Sequence, residues 1–290
     1  MADVRPRISV VIRSHNDRDF IGKTLDMLTR QTVPDVELLS LDDSSTDGTA
    51  EIIASFPQVK RITGAPVPYV PGKVLNFAVK HASGGIVVFN NSDAIPQSLD
   101  YLERLTAPLA DPGVGAVYGQ QICRPEAQAL VRKDYERAFG DGRIAATWRH
   151  FFSLASSAIR LQTLQENPFN ENLYCSEDID LTYRLRKQGL RIVYEPSAVT
   201  EHSHNYNLAG MSRRYYMEGL DHPYIYGDSI SFATFLRRFA AEVMRDYVYL
   251  FRHRHFSALF SSPVYRFIQR WNYYRGCRES LRKIREAEKS

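Results

Sequence analysis

The chain has 290 residues, 44% hydrophobic and 24% charged, the proportions of an ordinary globular protein able to bury one sizeable core, alone or with an appendage. Its three cysteines, Cys123, Cys175 and Cys277, stand far apart without C-x-x-C spacing, which suggests neither a disulfide framework nor a zinc site and points to a reducing cytoplasm. The net charge of +4 hides an asymmetry, because residues 235–290 hold 13 Lys and Arg against 5 Asp and Glu, leaving 24 against 28 for residues 1–234.

The opening MADVRPRISVVIRS enters a strand pattern without an apolar leader core, and no run of about 18 apolar residues occurs, so neither secretion nor a spanning helix is expected. ISVVIRS (8–14) reads as a strand buried on both faces, followed by a helix over RDFIGKTLDMLTRQT, where Phe20, Ile21, Leu25 and Leu28 recur at helical spacing. A second strand, VELLSLDD, runs from Leu38, Leu39 and Leu41 into the paired carboxylates Asp42 and Asp43. A helix (DGTAEIIASF), a short strand (VKRIT), a helix around KVLNFAVKHA, a strand (GGIVVFNNSDA), a helix around SLDYLERLTAPL and a strand (VGAVYGQQ) follow. This alternation predicts an α/β fold with a Rossmann-like, mostly parallel sheet flanked by helices.

Ligands of such sheets bind beyond the carboxyl ends of the strands, which sets Asp42, Asp43 and Asp93 on one rim. A carboxylate is costly to bury without a partner, so a rim position facing a ligand or cation suits it. The competing explanation is that Asp43 and Asp47 cap the next helix, since DDSSTDGT is rich in N-cap residues. Glu177 and Asp178 in SEDID stand at the start of an amphipathic helix marked by Ile179, Leu181, Tyr183 and Leu185, where acidic groups also complement the helix dipole. Beyond residue 228 the chain becomes basic and helical, with apolar residues from Phe232 through Phe239 and Met244 to Phe251 forming one stripe.

The segment ISVVIRSHNDRDFIGKTLDMLTRQTVPDVELLSLDDSSTDGT, together with VVFNNSDA and NPFNENLYCSEDIDLTYRLRKQG, resembles the family 2 glycosyltransferases of GT-A fold over roughly residues 8–204. VYGQQICRP and EHSHNYN are similar to segments of bacterial rhamnosyltransferase-like members. The resemblance implies a catalytic domain over residues 1–227, with a nucleotide-binding half to about 120 and an acceptor half over 121–227, and a basic helical region over 228–290. It implies an inverting transfer from a nucleotide-diphosphate sugar, a dTDP-rhamnose-like donor first and a UDP-sugar second, to a glycan or lipid-linked glycan in bacterial surface polysaccharide synthesis.

By that resemblance Asp43 accepts the N3–H of a uracil or thymine, a task that suits an acceptor-only group. Arg13 lies beside the same base or its ribose, or pairs with Asp43. Lys73 and Asn76 lie near donor ribose and phosphate, Asp42 and Ser92 join the donor site, and Asp93 is the foremost ligand for Mg2+ or Mn2+. Asn91 and Ser92 stand where relatives often carry a further Asp, which implies modest metal affinity. His202 completes the metal shell, with His204 the second candidate, and either imidazole could instead serve as a structural hydrogen-bond partner. Asp178 is the base that takes the acceptor proton, Glu177 shapes its surroundings, and Trp148 and Tyr206 are candidate acceptor platforms.

A pyrophosphorylase would need a Gly-rich basic N-terminal loop and an epimerase a G-x-x-G-x-x-G turn, and VVIRSHNDRDF supplies neither. A non-catalytic nucleotide-sugar-binding or scaffold protein remains the alternative class. Nucleic acid is not an expected partner, because acidic residues interleave the rim. The C-terminal region is expected either to touch the inner face of the cytoplasmic membrane peripherally or to pack on the catalytic domain or a second subunit, making a homo-oligomer.

Overall fold

The computed structural model describes residues 8–287. Residues 1–7, the start of the stretch without a leader core, and 288–290, the end of the basic region, lie outside the described residues. Two compact units divide the chain: residues 8–124, 137–172 and 177–202 form the first, and residues 125–136, 173–176 and 203–287 the second.

The first unit is a sheet with helices. In chain order it carries β1 (Ile8–Ser14), α1 (Arg18–Thr29), β2 (Val36–Asp42), α2 (Thr49–Ala54), β3 (Val59–Arg61), α3 (Pro71–Val79), β4 (Ile86–Asn90), β5 (Ile95–Pro96), α4 (Tyr101–Thr106) and β6 (Val114–Ile122). After α5 (Ala129–Phe139), which begins in the second unit, come β7 (Ser156–Arg160), α6 (Leu161–Glu166), α7 (Glu177–Lys187) and β8 (Arg191–Glu201).

The eight strands pair in the order β3-β2-β1-β4-β7-β6-β8-β5. Four pairings are parallel and three antiparallel, so the sheet is mostly parallel, as the alternation implies. β-Branched residues dominate β1 because both its faces are covered. Ile8, Val10 and Ile12 share one core cluster with Ile21, Leu25 and Leu28 of α1, joining a strand of period two to a helix of period 3.6.

Two devices shape the carboxyl edge of this sheet. Tyr101 is fully buried, and its hydroxyl meets Asn90 Oδ1 at 3.0 Å and Ser156 Oγ at 2.8 Å, which ties the end of β4 to the start of β7. Burial holds this phenol well above its ordinary pKa, so it stays a neutral donor. Along β6 and β8 the register shifts between Gly119 and Gln120. A Cβ on Gly119 would sit 2.4 Å from the Ala198 carbonyl oxygen, so only glycine admits the bulge that re-aims the last residues of β6.

The second unit contains α8 (Leu208–Tyr226), α9 (Phe232–Arg252) and α10 (Ser261–Ala287). Asn207 caps α8 by accepting the Gly210 N–H, Ser231 caps α9 by accepting the Thr234 N–H, and Gly227 closes α8 in the left-handed region at φ 69°. Its interior is ionic. Asp246, wholly buried, accepts bonds from Arg266 at 2.7 and 2.9 Å, from Ser262 at 2.7 Å and from Lys133. The other edge of the Arg266 guanidinium pairs with both oxygens of Asp134 at 2.8 Å. Burial would raise the neighbouring Glu242 carboxyl, but a hydrogen bond from Arg245 and the charges of Arg270, Arg245 and Arg266 bring it down to about 2.

Helices α8 and α10 touch backbone to backbone. A Cβ on Gly219 would lie 2.3 Å from Tyr273 O, and one on Gly276 would lie 2.2 Å from Tyr216 O. Gly219→Ala and Gly276→Ala should therefore each cost about 1–3 kcal/mol through overpacking, read as a thermal midpoint lowered by several degrees. The double variant should lose less than the sum, because helices already spread by one methyl accommodate the second. Midpoints unchanged from wild type would refute the close crossing.

Candidate active site at the strand ends

The loop after β2 is built by its own side chains. Asp42 accepts from Ser14 Oγ at 2.8 Å, Ser45 Oγ at 2.6 Å and Ser45 N at 2.9 Å, so both its oxygens hold the turn. Asp43 beside it is exposed, with its backbone N–H bonded to Ser14 O. Asp47 takes the capping part: it accepts from Thr49 Oγ1 at 2.6 Å, Thr49 N at 3.0 Å and Arg18 N at 3.1 Å. The Thr49 hydroxyl is the first cause of its lowered pKa.

Asn90 folds the loop after β4, its amide nitrogen donating to Asn91 O at 2.9 Å and Ala94 O at 2.8 Å. Ser92 is buried, donates its hydroxyl to Asp17 and bonds through its N–H to Arg13 O at 3.2 Å. Arg13 turns its guanidinium to Tyr69 Oη at 3.2 Å and to Glu177 at 3.8 Å.

Asp93, 5% exposed, sits in this loop. Arg124 donates to its carbonyl at 2.6 Å and to its carboxylate at 3.1 Å, and the same guanidinium lies 3.8 Å over the Phe20 ring. His202 at the exit of β8 brings Nε2 to 3.4 Å from Asp93 Oδ1. Its other nitrogen, Nδ1, bonds Gln121 Oε1 at 2.8 Å, and the Gln121 amide nitrogen donates to Ser153 Oγ at 2.8 Å. With the Gln121 carbonyl directed to it, Nδ1 carries the hydrogen and Nε2 presents a lone pair toward a carboxylate. A carboxylate oxygen and an imidazole nitrogen so placed are ligand types that a divalent cation takes.

Asp178 and Glu177 open α7. Glu177 is buried; Asp178 is half-buried and accepts from Leu154 N at 3.2 Å and Ile179 N at 2.7 Å. One turn on, Thr182 donates to Asp178 O at 2.7 Å and receives His150 Nε2 at 2.7 Å, while His150 Nδ1 accepts from Arg186 at 3.0 Å. Burial, then the Arg186 charge, pushes His150 down to about 4, so it is a neutral strut of α7.

Within the second unit Asp221 is fully buried and accepts the N–H groups of Tyr174, Cys175 and Ser176, each at 3.0 Å, the three residues that lead into α7.

Lys73 is exposed on α3. Asn76 is committed within the fold: its amide donates to Phe169 O and Glu171 Oε1 and accepts from Phe169 N, all at 2.9 Å. Trp148 is half-buried with its ring edge-on to Phe151 at 5.2 Å. Tyr206 belongs to the second unit, its hydroxyl taking Arg214 at 2.7 Å and its ring tilted 5.5 Å from His204. The first unit thus brings Asp93 to His202 and Arg13 to Glu177, and turns Asp42, Ser92 and Asn76 to building loops. Arg124, Gln121, Ser153 and Asp17 are neighbours of these residues that the sequence left unmarked.

The family described as Glycosyl transferase family 2 matches residues 9–171. The O-antigen chain rhamnosyltransferase RfbN of Salmonella typhimurium is 25% identical over 227 residues, 74% of this chain and 72% of that protein. The O-antigen chain rhamnosyltransferase WbaN of Salmonella anatum is 27% identical over 204 residues, 67% of this chain and 64% of that protein. Among solved structures, the mannosyltransferase PcManGT of Pyrobaculum calidifontis, in complex with GDP-Man and Mn2+, matches with a TM-score of 0.67 at 20% identity, covering 96% of this chain and 88% of that one. That likeness shows a shared fold.

The depressed His150 fixes a pH dependence. Its neutral form is favoured on folding, so its stabilisation is complete above the unfolded value near 6.5 and is lost as pH falls toward about 4. Stability should drop across that window by at most about 1.4 kcal/mol per pH unit from this group. His150→Gln, which keeps a donor for Thr182 and an acceptor for Arg186, should flatten the fall between pH 6.5 and 5; parallel melting curves would remove His150 from the account.

Proposed function

We propose that this chain, which belongs to glycosyl transferase family 2, moves a sugar from a nucleotide-diphosphate donor to a glycan or lipid-linked glycan acceptor in surface polysaccharide synthesis, with inversion at the anomeric carbon. The family match over residues 9–171 and the two O-antigen rhamnosyltransferase relatives support the reaction class, and the fold is the GT-A arrangement. The observation that carries the site is the 3.4 Å approach of His202 Nε2 to Asp93 Oδ1 at the strand ends.

Asp93 and His202, with His204 two residues along the same run, are the group that would hold Mg2+ or Mn2+. Such an ion neutralises charge on the departing nucleotide diphosphate, and the Mn2+ of the mannosyltransferase neighbour favours this reading. Arg124 keeps Asp93 aimed, and Gln121 keeps the His202 ring in the ligating tautomer. Asp43, exposed where Asp42 stiffens the turn, reads a base bearing an N3–H, with dTDP-rhamnose the first candidate donor and a UDP-sugar the second. Lys73 supplies a charge for the phosphates.

Asp178 takes the acceptor hydroxyl proton as that oxygen attacks the anomeric carbon from the face opposite the nucleotide. Glu177, held toward Arg13, sets the field around it, and Asp221 keeps the approach to α7 in place. Trp148 and Tyr206 offer ring faces to the acceptor. We assign transfer to residues 1–227 and a separate surface role to residues 228–290, in a cytoplasmic enzyme.

Transfer should stop in excess chelator and return with Mn2+ or Mg2+. Asp93→Asn should lower turnover by about a hundredfold or more, with the melting temperature recording any loss of the Arg124 contact. Full turnover in chelator would sink the metal assignment. Asp178→Asn keeps size and hydrogen bonding while removing the base, so kcat should collapse with donor affinity nearly unchanged. NMR of the first-formed product should show the anomeric configuration opposite to that of the donor, and retention would refute the single displacement. Donor binding without turnover, whatever acceptor is offered, would favour the non-catalytic binding protein instead.

A further inference from the structure

Helix α9 turns a run of large apolar side chains to solvent. Its inner side buries Phe235 and Leu250 beside the acidic Glu242 and Asp246, which meet Arg266 and Lys133, while several further apolar residues look outward. Phe232 is 51% exposed, Met244 62%, Val248 66% and Phe251 58%. A helix side that faces only water is ordinarily polar. The turn that follows continues the surface, with Phe256 52% exposed and Phe260 90% exposed. The exposed ionic side chains of α9 are Arg237, Arg238, Arg245 and Arg252, so this apolar surface has a rim of one sign.

The rim decides the occupant. A second copy docked through the same face about a two-fold axis would set these arginines against their own images, which electrostatics opposes. An anionic bilayer accepts both components, because phenyl and aliphatic groups enter the headgroup boundary while guanidinium groups remain among the lipid phosphates. No helix among the described residues is long and apolar enough to cross a membrane, so contact of this kind is peripheral.

We propose that the outer face of α9 and the 253–260 turn form a docking surface for an anionic lipid bilayer. Phe260 leads the apolar insertion and the arginines supply the attraction. The proposal concerns this surface alone, and its test reads sedimentation rather than sugar transfer, so it stands or falls apart from the reaction.

Full-length protein should co-sediment with phosphatidylglycerol-containing vesicles at low ionic strength and much less with pure phosphatidylcholine vesicles. Binding should fall steeply with added salt, since exposed charges are screened within about 10 Å at 0.1 M. Arg237→Gln, Arg238→Gln and Arg252→Gln should each lower partitioning about fivefold. Val248→Ser and Phe260→Ser should each lower it about tenfold or more, with thermal midpoints unchanged because both side chains already face solvent. Three results would overturn the proposal: no co-sedimentation at low salt, equal binding by folded Val248→Ser and Phe260→Ser, or a dimer in sedimentation equilibrium that Val248→Ser dissolves. Should one serine variant fail to fold, the arginine series and the other serine variant decide the matter.

Discussion

The site depends first on which way one amide points. Gln121 holds its nitrogen toward Ser153 and its carbonyl toward His202. This leaves the far nitrogen of the imidazole as an acceptor at the edge of Asp93. An imidazole nitrogen and a carboxylate oxygen side by side at low exposure are a donor set that suits a divalent cation. The surrounding structure holds that arrangement: Gly119 admits the bulge that aims the end of β6, Tyr101 binds the ends of β4 and β7, and Arg124 clamps Asp93 from main chain and side chain together.

Positioning of the proposed base follows the same logic with different groups. Asp178 stands at the first turn of α7, where N-terminal N–H groups favour a negative charge, and its carboxylate is aimed by the Leu154 and Ile179 N–H groups. His150 contributes as a neutral strut, since burial keeps it from charging near neutral pH. Asp221 contributes as a carboxylate whose two oxygens take three backbone N–H groups. The His150 chain in the first unit and the Asp221 cluster in the second are polar networks that fix geometry where apolar packing alone would permit sliding.

Much of this was legible in the sequence. The period-two and period-3.6 patterns place β1, α1 and β2, because local burial alone sets them, and the runs LDD and NNSDA mark strand ends by breaking an apolar pattern with acids. The stripe from Phe232 to Phe251 corresponds to α9. The strand alternation traced in the sequence ends at Gln121, and β7 and β8 lie beyond it. Their placement is a long-range matter: β7 enters antiparallel between β4 and β6. The same holds for side chains. His202 meets Gln121 across 81 residues and Arg124 meets Asp93 across 31, so no local pattern announces either. Asp42, Ser92 and Asn76 show the converse. A polar residue at a strand end or helix face reads as a ligand contact, and only the folded chain shows the hydrogen bonds it also makes within the fold.

The central claim is that the Asp93 and His202 rim holds the cation that accompanies the donor diphosphate. Pulsed electron paramagnetic resonance of Mn2+ bound to the full chain with a nucleoside diphosphate tests it directly, because a directly coordinated imidazole nitrogen modulates the manganese echo. The account predicts a nitrogen coupling from imidazole that weakens in His202→Gln and a manganese affinity that drops in Asp93→Asn. Tightly bound manganese with no nitrogen coupling, unchanged in both variants, would place the ion elsewhere and contradict the account.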